Sequence, residues 1–201
     1  AWIGFGRSPL SADKHPISFS SNGDIPNDDG TIAFTIKELG DWSGGVVPNV
    51  AVGTTAWVDG PHGVFTMDRE EGAGYALIGG GVGITPLYSI LQALETRADR
   101  RPVYVFHAAN DFEDLTFREE LAAMAQRMQS LTLVTVLLRA DEDWKGERGF
   151  VTADTLSRYL PPTLYRHFQY FICGPTPLMD AMEAALPSIG VPADRVHTER
   201  F

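Results

Sequence analysis

The chain has 201 residues, with 16 Lys and Arg against 26 Asp and Glu, a formal net charge of −10, and 44% hydrophobic residues. That is the composition of an ordinary globular protein, and the acidic balance excludes a nucleic-acid partner, because no basic stripe is available to neutralise phosphates. A single cysteine, Cys173, excludes an internal disulfide framework and a Cys-rich metal site, and no metal centre is expected.

Residues 1–66 have all-β texture. The opening Ala1-Trp2-Ile3-Gly4-Phe5 reads as the middle of a strand. It lacks the charged flank and apolar run of a signal peptide, and a chain that opens mid-strand is expected to be a piece of something longer. In His15-Pro16-Ile17-Ser18-Phe19-Ser20-Ser21 the alternation predicts a half-buried strand, with Ile17 and Phe19 on one face and the hydroxyls of Ser18 and Ser20 on the other. Short β-type runs follow at 31–36 and 54–58, separated by the turn signals Asn22-Gly23, Asp29-Gly30 and Ser43-Gly44-Gly45. Gly60-Pro61-His62-Gly63 reads as a tight turn, with contact to a flavin or a partner domain as the functional alternative. A turn-rich linker is expected near 67–74.

From Tyr75 the pattern changes. Residues 75–94 carry no charge and are long enough to span a bilayer. Gly79, Gly80, Gly81, Gly83 and Pro86 in their middle argue instead for a strand, a glycine turn and a helix. Strand-like runs at 75–78, 103–107, 131–138 and 170–173 alternate with helical ones. Pro86 suits a first helical turn with Thr85 as cap. Thr116-Phe117-Arg118-Glu119 reads as a capping box for a helix through Met128, and Thr176-Pro177 opens another helix. The alternation predicts a parallel, doubly wound sheet with right-handed crossovers, binding ligands at the carboxyl ends of its strands.

Three motifs fall at such ends. Gly79-Gly80-Gly81-Val82-Gly83-Ile84-Thr85-Pro86 links the first strand to the first helix. It lacks the G-x-G-x-x-G fingerprint, because position 84 is Ile, and no Gly-Lys-Ser/Thr follows to make a Walker loop. It is either a backbone cradle for a pyrophosphate or a tight turn needing φ > 0. Phe171-Ile172-Cys173-Gly174-Pro175 ends a buried strand; by itself it reads as a core cysteine and a helix-starting turn, and no basic neighbour lowers the thiol pKa for nucleophilic work. The end, Val196-His197-Thr198-Glu199-Arg200-Phe201, closes on an aromatic. Either the chain is cut at an arbitrary place, or Phe201 covers something planar with Glu199 near a redox or proton-transfer site.

Taken in order, "HPISFSS", "LGDWSGG", "GPHGVF", "GGGVGITP", "FICGP" and the terminal "ERF" resemble the flavin- and nicotinamide-binding part of the ferredoxin–NADP reductase superfamily, over nearly the whole chain. Within it they most resemble the dehydrogenase portion of ferric reductases and NADPH oxidases. The resemblance implies a flavin-binding β-barrel over 1–66, its first strands missing from this sequence, and an NAD(P)H-binding α/β domain over 75–201. By that match His15 takes the position of the family's diphosphate-binding arginine, Pro16 and Ile17 lie along the flavin, and Ser18 reaches flavin N5; Ile17 departs from the family aromatic. Gly40, Trp42 and Ser43 belong to the turn beside the flavin diphosphate, Ser43 as donor, and Gly63 to the tight turn. Gly80, Gly81, Val82, Gly83, Thr85 and Pro86 resemble the nicotinamide diphosphate loop. Cys173, Gly174 and Pro175 resemble the residues beside the nicotinamide, and Glu199 and Phe201 the terminal acid and displaceable aromatic. Arg139, with Lys145 and Arg148 following, resembles the 2′-phosphate-binding arginine.

The resemblance implies an enzyme with FAD and NADP as cofactors, NAD being the alternative. Hydride passes from NAD(P)H to FAD, and single electrons pass to an acceptor. In the ferric reductase and oxidase branch the acceptor is a haem in a transmembrane domain of the same longer chain, so the expected location is the cytoplasmic face of a membrane. The alternatives are a soluble reductase feeding an iron–sulfur protein or oxygenase, and a nucleotide-binding module without turnover. A −10 surface repels acidic ferredoxins, which favours the haem.

Overall fold

The structure, a computed structural model, describes residues 1–6, 13–22, 30–68 and 71–200. Parts of the Asn22-Gly23 and Asp29-Gly30 turn signals, two residues of the expected linker, and Phe201 lie outside the described residues. The chain divides into two compact units, Ala1–Val64 and Phe65–Phe201.

In the first unit β1 (Trp2–Phe5) lies between β2 (His15–Pro16) and β3 (Ala56–Asp59), antiparallel to both. Ile3, the buried centre of β1, pairs with His15 on one side and Val58 on the other. The expected strand from His15 is shorter than the alternation predicts. Beyond Pro16, which has no N–H to donate, Ile17 N donates to Ala1 O at 2.8 Å and Ala1 N to Ile17 O at 2.9 Å, and further on an isolated bridge joins Phe19 to Phe34, with the two rings stacked at 4.9 Å. Of the 31–36 run, that bridge and the hydrogen bond from Ser20 N to Ala33 O at 2.8 Å are the pairings among the described residues, and no named strand forms there. Ser20 and Ser21 are buried, and Ser21 Oγ accepts from Ala33 N at 3.0 Å.

The second unit is a six-stranded parallel sheet in the order β7-β6-β5-β4-β8-β9. Its strands are β4 (Gly74–Gly80), β5 (Val103–Ala109), β6 (Leu131–Leu137), β7 (Glu147–Arg148), β8 (Phe168–Gly174) and β9 (Val196–Arg200). β4 and β8 are buried along their whole length, as strands covered on both faces must be. Tyr75, Leu77, Val103 and Val105 face one layer, packed by α1 (Ile84–Thr96) and α2 (Arg118–Arg127). Ala76, Ile78, Phe106 and Ile172 face the other, packed by α3 (Ala153–Tyr159) and α4 (Thr176–Ser188). The chain runs outward from β4 to β5 and β6, then returns to place β8 on the far side of β4. That reversal opens a crevice at the carboxyl ends of β4 and β8.

The starts of α1 and α2 differ from the sequence expectation. Gly83 caps α1, so Thr85 and Pro86 stand inside its first turn. Phe117, at φ 59°, caps α2; Thr116 makes no capping box, and the helix ends one residue earlier, with Met128 as its C-cap. Pro175 caps α4. The stretch expected as a linker packs on the second unit: Met67 is buried in its core, Arg97 donates to Asp68 at 2.6 Å, and Gln169 Nε2 donates to Glu71 O at 2.7 Å. Among the described residues, no helix is long and apolar enough to cross a membrane.

Candidate functional site

The carboxyl edge of β4 and β8 is shaped by glycine. Gly79 pairs with Cys173 across the sheet, and a Cβ on Gly79 would lie 3.0 Å from the Ile84 backbone, so the α1 start drops close against the strand. A Cβ on Gly83 would lie 2.2 Å from the Cys173 carbonyl oxygen and 2.6 Å from Gly174 Cα. A Cβ on Gly174 would lie 3.0 Å from Gly80 N. The glycine turn and the Cys-Gly-Pro turn, about ninety residues apart, are therefore one structure with backbone against backbone. Gly81 sits at φ +54° with open space where a side chain would stand. Bare backbone at the start of a thirteen-residue helix, with open space beside it, is what a diphosphate requires.

Two buried polar atoms flank this turn without a hydrogen-bond partner, Thr85 Oγ1 and His107 Nε2. Thr85 is 2% exposed and His107 1%. His107 is level with Gly79 in the β4–β5 register and shares the face of Val103 and Val105, toward α1. Burial lowers its pKa to about 4, so the imidazole is neutral at neutral pH. Leaving such atoms unpaired costs about 1–3 kcal/mol each, and their position beside the turn fits a site completed by a bound group. The sequence motifs do not single out His107; its signal is a lone histidine at the carboxyl end of an apolar run.

Cys173 is fully buried, and burial pushes its thiol well above the ordinary range, with the Glu199 carboxylate adding to the rise. A buried, protonated thiol does not suit a nucleophile's role. Glu199 is its register partner on β9, so the acid stands beside the Cys-Gly-Pro turn. Pro175 caps α4 at that edge. Arg139 stands at the end of β6, away from these residues in strand order, and is paired with Asp111. Arg148 donates to the carbonyls of Ala140, Asp141, Glu142 and Trp144, so it braces its own loop.

In the first unit the His15 ring stacks on Trp42 at 4.1 Å, and Phe5 stacks on the same indole at 5.8 Å. His15 Nε2 lies 3.0 Å from Asp13 Oδ1. Ser43 Oγ accepts from Leu39 N at 2.9 Å and Gly40 N at 3.1 Å, and donates to Gly40 O at 3.3 Å. That hydroxyl holds the turn over Asp41–Val46 rather than projecting from it. Ile17 and Ser18 are half-buried, Pro16 is exposed, and Gly63 has φ +102° with open space around it. Ser18 belongs to one unit and Cys173 to the other. Among the described residues no cluster of His, Cys, Asp or Glu is placed to hold a metal ion.

A parallel sheet with a glycine cradle at its switch point defines a dinucleotide-binding class of protein. Residues 77–184 match the oxidoreductase NAD-binding domain family, and the chain belongs to that family. It is 36% identical over 182 residues to the ferredoxin reductase component of a 3-ketosteroid-9-alpha-monooxygenase from Rhodococcus rhodochrous, covering 88% of this chain and 48% of that protein. Its fold is similar to the ferredoxin reductase in carbazole 1,9a-dioxygenase, with a TM-score of 0.79, 25% identity, and coverage of 100% of this chain and 58% of that one. It is also similar to a ferredoxin NADP+ reductase from Neisseria gonorrhoeae with bound FAD and NADP, with a TM-score of 0.77, 22% identity, and coverage of 99% and 84%. The chain spans about half the length of curated relatives it matches.

Proposed function

We propose that this chain is the coenzyme-handling part of a flavoprotein reductase that takes hydride from NAD(P)H and delivers electrons to an iron–sulfur protein or an oxygenase component. The observation that carries the reading is the packing of Gly83 on the Cys173–Gly174 backbone, which leaves one bare cradle at the β4–β8 switch point. When bound there, the reduced nicotinamide coenzyme supplies a hydride, for which FAD is the two-electron acceptor and single-electron donor. The backbone N–H groups of Gly80, Gly81, Val82 and Gly83 and the α1 N-terminus hold the coenzyme diphosphate, with the Thr85 hydroxyl beside them. Gly174 admits close approach of the nicotinamide, Cys173 contributes a neutral, packed thiol, and Glu199 holds a carboxylate at the same edge. In the first unit Ser18, through its hydroxyl, and the stacked His15 and Trp42 would hold the flavin.

The relatives named for monooxygenases and dioxygenases favour the oxygenase partner over a membrane haem. The haem reading, with a transmembrane domain elsewhere in the same chain, keeps one specific observation, the His15-Pro16-Ile17-Ser18 motif of the ferric reductase and oxidase branch. Anaerobic mixing of the flavin-loaded full-length protein with NADH or NADPH tests the proposal. Bleaching of the flavin followed by its reoxidation by an iron–sulfur protein is expected. Failure of both coenzymes to bleach it would overturn the reading, and electron transfer to haem alone would select the second one.

A further inference from the structure

The β5–β6 ladder continues past the last residues of both strands. Leu138 N donates to Ala109 O at 3.0 Å, and Arg139 N to Asn110 O at 2.8 Å. The backbone therefore sets Asp111 and Arg139 side by side at the carboxyl edge. Arg139 donates from Nε to Asp111 Oδ1 at 3.0 Å and from Nη2 to Oδ2, so the guanidinium fork meets both carboxylate oxygens. The pairing holds the Asp111 carboxyl below its usual range and raises Arg139. The side chains remain 36% and 65% exposed, so a ligand can reach them.

The loops carrying the pair are braced to one another. Phe112 meets Trp144 edge-on at 5.8 Å, Arg148 holds four carbonyls of the second loop, and Trp144 Nε1 donates to Glu147 O at 2.9 Å. Arg118 is also engaged, 4.3 Å over the Phe112 ring and 3.6 Å from Glu119. The same loops carry Asp114, Asp141, Glu142 and Asp143. A phosphate dianion arriving here meets a fork already filled and a surrounding excess of carboxylates. A ribose hydroxyl meets a carboxylate that can accept its proton in a hydrogen bond.

We infer that Asp111 is a specificity-determining residue: it fills the Arg139 fork that a 2′-phosphate would use and accepts from the adenosine ribose hydroxyl, so that the protein selects NADH over NADPH. The inference rests on the coenzyme-binding reading above, and it reverses the NADPH preference expected from Arg139 alone.

Two measurements on the flavin-loaded full-length protein test it. The first is kcat/KM with NADH and NADPH for the wild type, Asp111→Asn, and Asp111→Asn with Arg139→Ala. The wild type should favour NADH by about tenfold or more, and Asp111→Asn should move the ratio about tenfold toward NADPH by lowering its KM with little change in kcat. Adding Arg139→Ala should remove that gain. A wild type preferring NADPH, or a ratio unmoved by Asp111→Asn, would overturn the assignment. The second is calorimetric binding of ADP-ribose against its 2′-phosphorylated form, which needs no hydride transfer. Tighter binding of ADP-ribose supports the assignment even where neither coenzyme reduces flavin, the result that sinks the functional reading. Equal binding of the two overturns the assignment.

Discussion

His107 and Ser18 carry different consequences at the scale of single residues. His107 is buried and its pKa is lowered to about 4, against about 6.5 in an unfolded chain. Between those values the unfolded state binds more protons, so stability rises with pH. The contribution is fully present above about pH 6.5 and is lost as pH falls to about 4, amounting to about 3 kcal/mol. Urea denaturation at neutral pH and near pH 4.5 should therefore show a smaller acid loss in His107→Phe than in the wild type. Equal losses would mean that His107 is not the group being protonated. Ser18→Ala should slow flavin reduction by about tenfold or more, close to 1.4 kcal/mol of transition-state stabilisation. Unchanged single-turnover reduction would remove Ser18 from the flavin.

At the scale of elements, the crevice depends on Gly83. An alanine methyl there would stand 2.2 Å from a backbone carbonyl that has nowhere to move without disturbing β8. Gly83→Ala should cost roughly 1–3 kcal/mol and abolish coenzyme binding, read by thermal unfolding and by titration with NADH. Full stability together with undiminished binding would show that the two turns are not locked. The strands of this region were legible in the sequence because apolar runs bounded by glycine leave few alternatives to a buried parallel strand. The starts of α1 and α2 differ from the sequence reading because Gly83 and Phe117 set them through backbone conformation, without a side-chain cap for the sequence to display, whereas Thr176-Pro177 opens α4 as its residues predict. The glycine turn and the Cys-Gly-Pro turn were each visible, but their contact is a product of strand order. The same is true of Arg139, whose partner Asp111 lies 28 residues away and is delivered by the β5–β6 register. The strand expected from His15 was cut short because alternation reports which faces pack, not where a partner strand ends.

At the scale of the molecule, the two units differ in how much core they hold. Phe65–Phe201 has apolar layers on both faces of its sheet, with residues such as Leu77, Leu91, Phe171 and Ile172 fully buried. Ala1–Val64 has a three-stranded sheet with short strands and leaves Leu39, Val52 and Val64 largely exposed. Residues 65–201 expressed alone should unfold in one cooperative thermal transition, and residues 1–64 alone should show none. A cooperative transition in the smaller piece, or its absence in the larger, would contradict that division. The central claim is that the coenzyme occupies the carboxyl edge of β4 and β8. Amide chemical-shift mapping of the chain on titration with NADH tests it most directly. The account predicts the largest changes at Gly80, Gly81, Val82, Gly83 and Thr85, together with Cys173 and Gly174; changes confined to the opposite edge, around the end of α1 at Thr96, would contradict it.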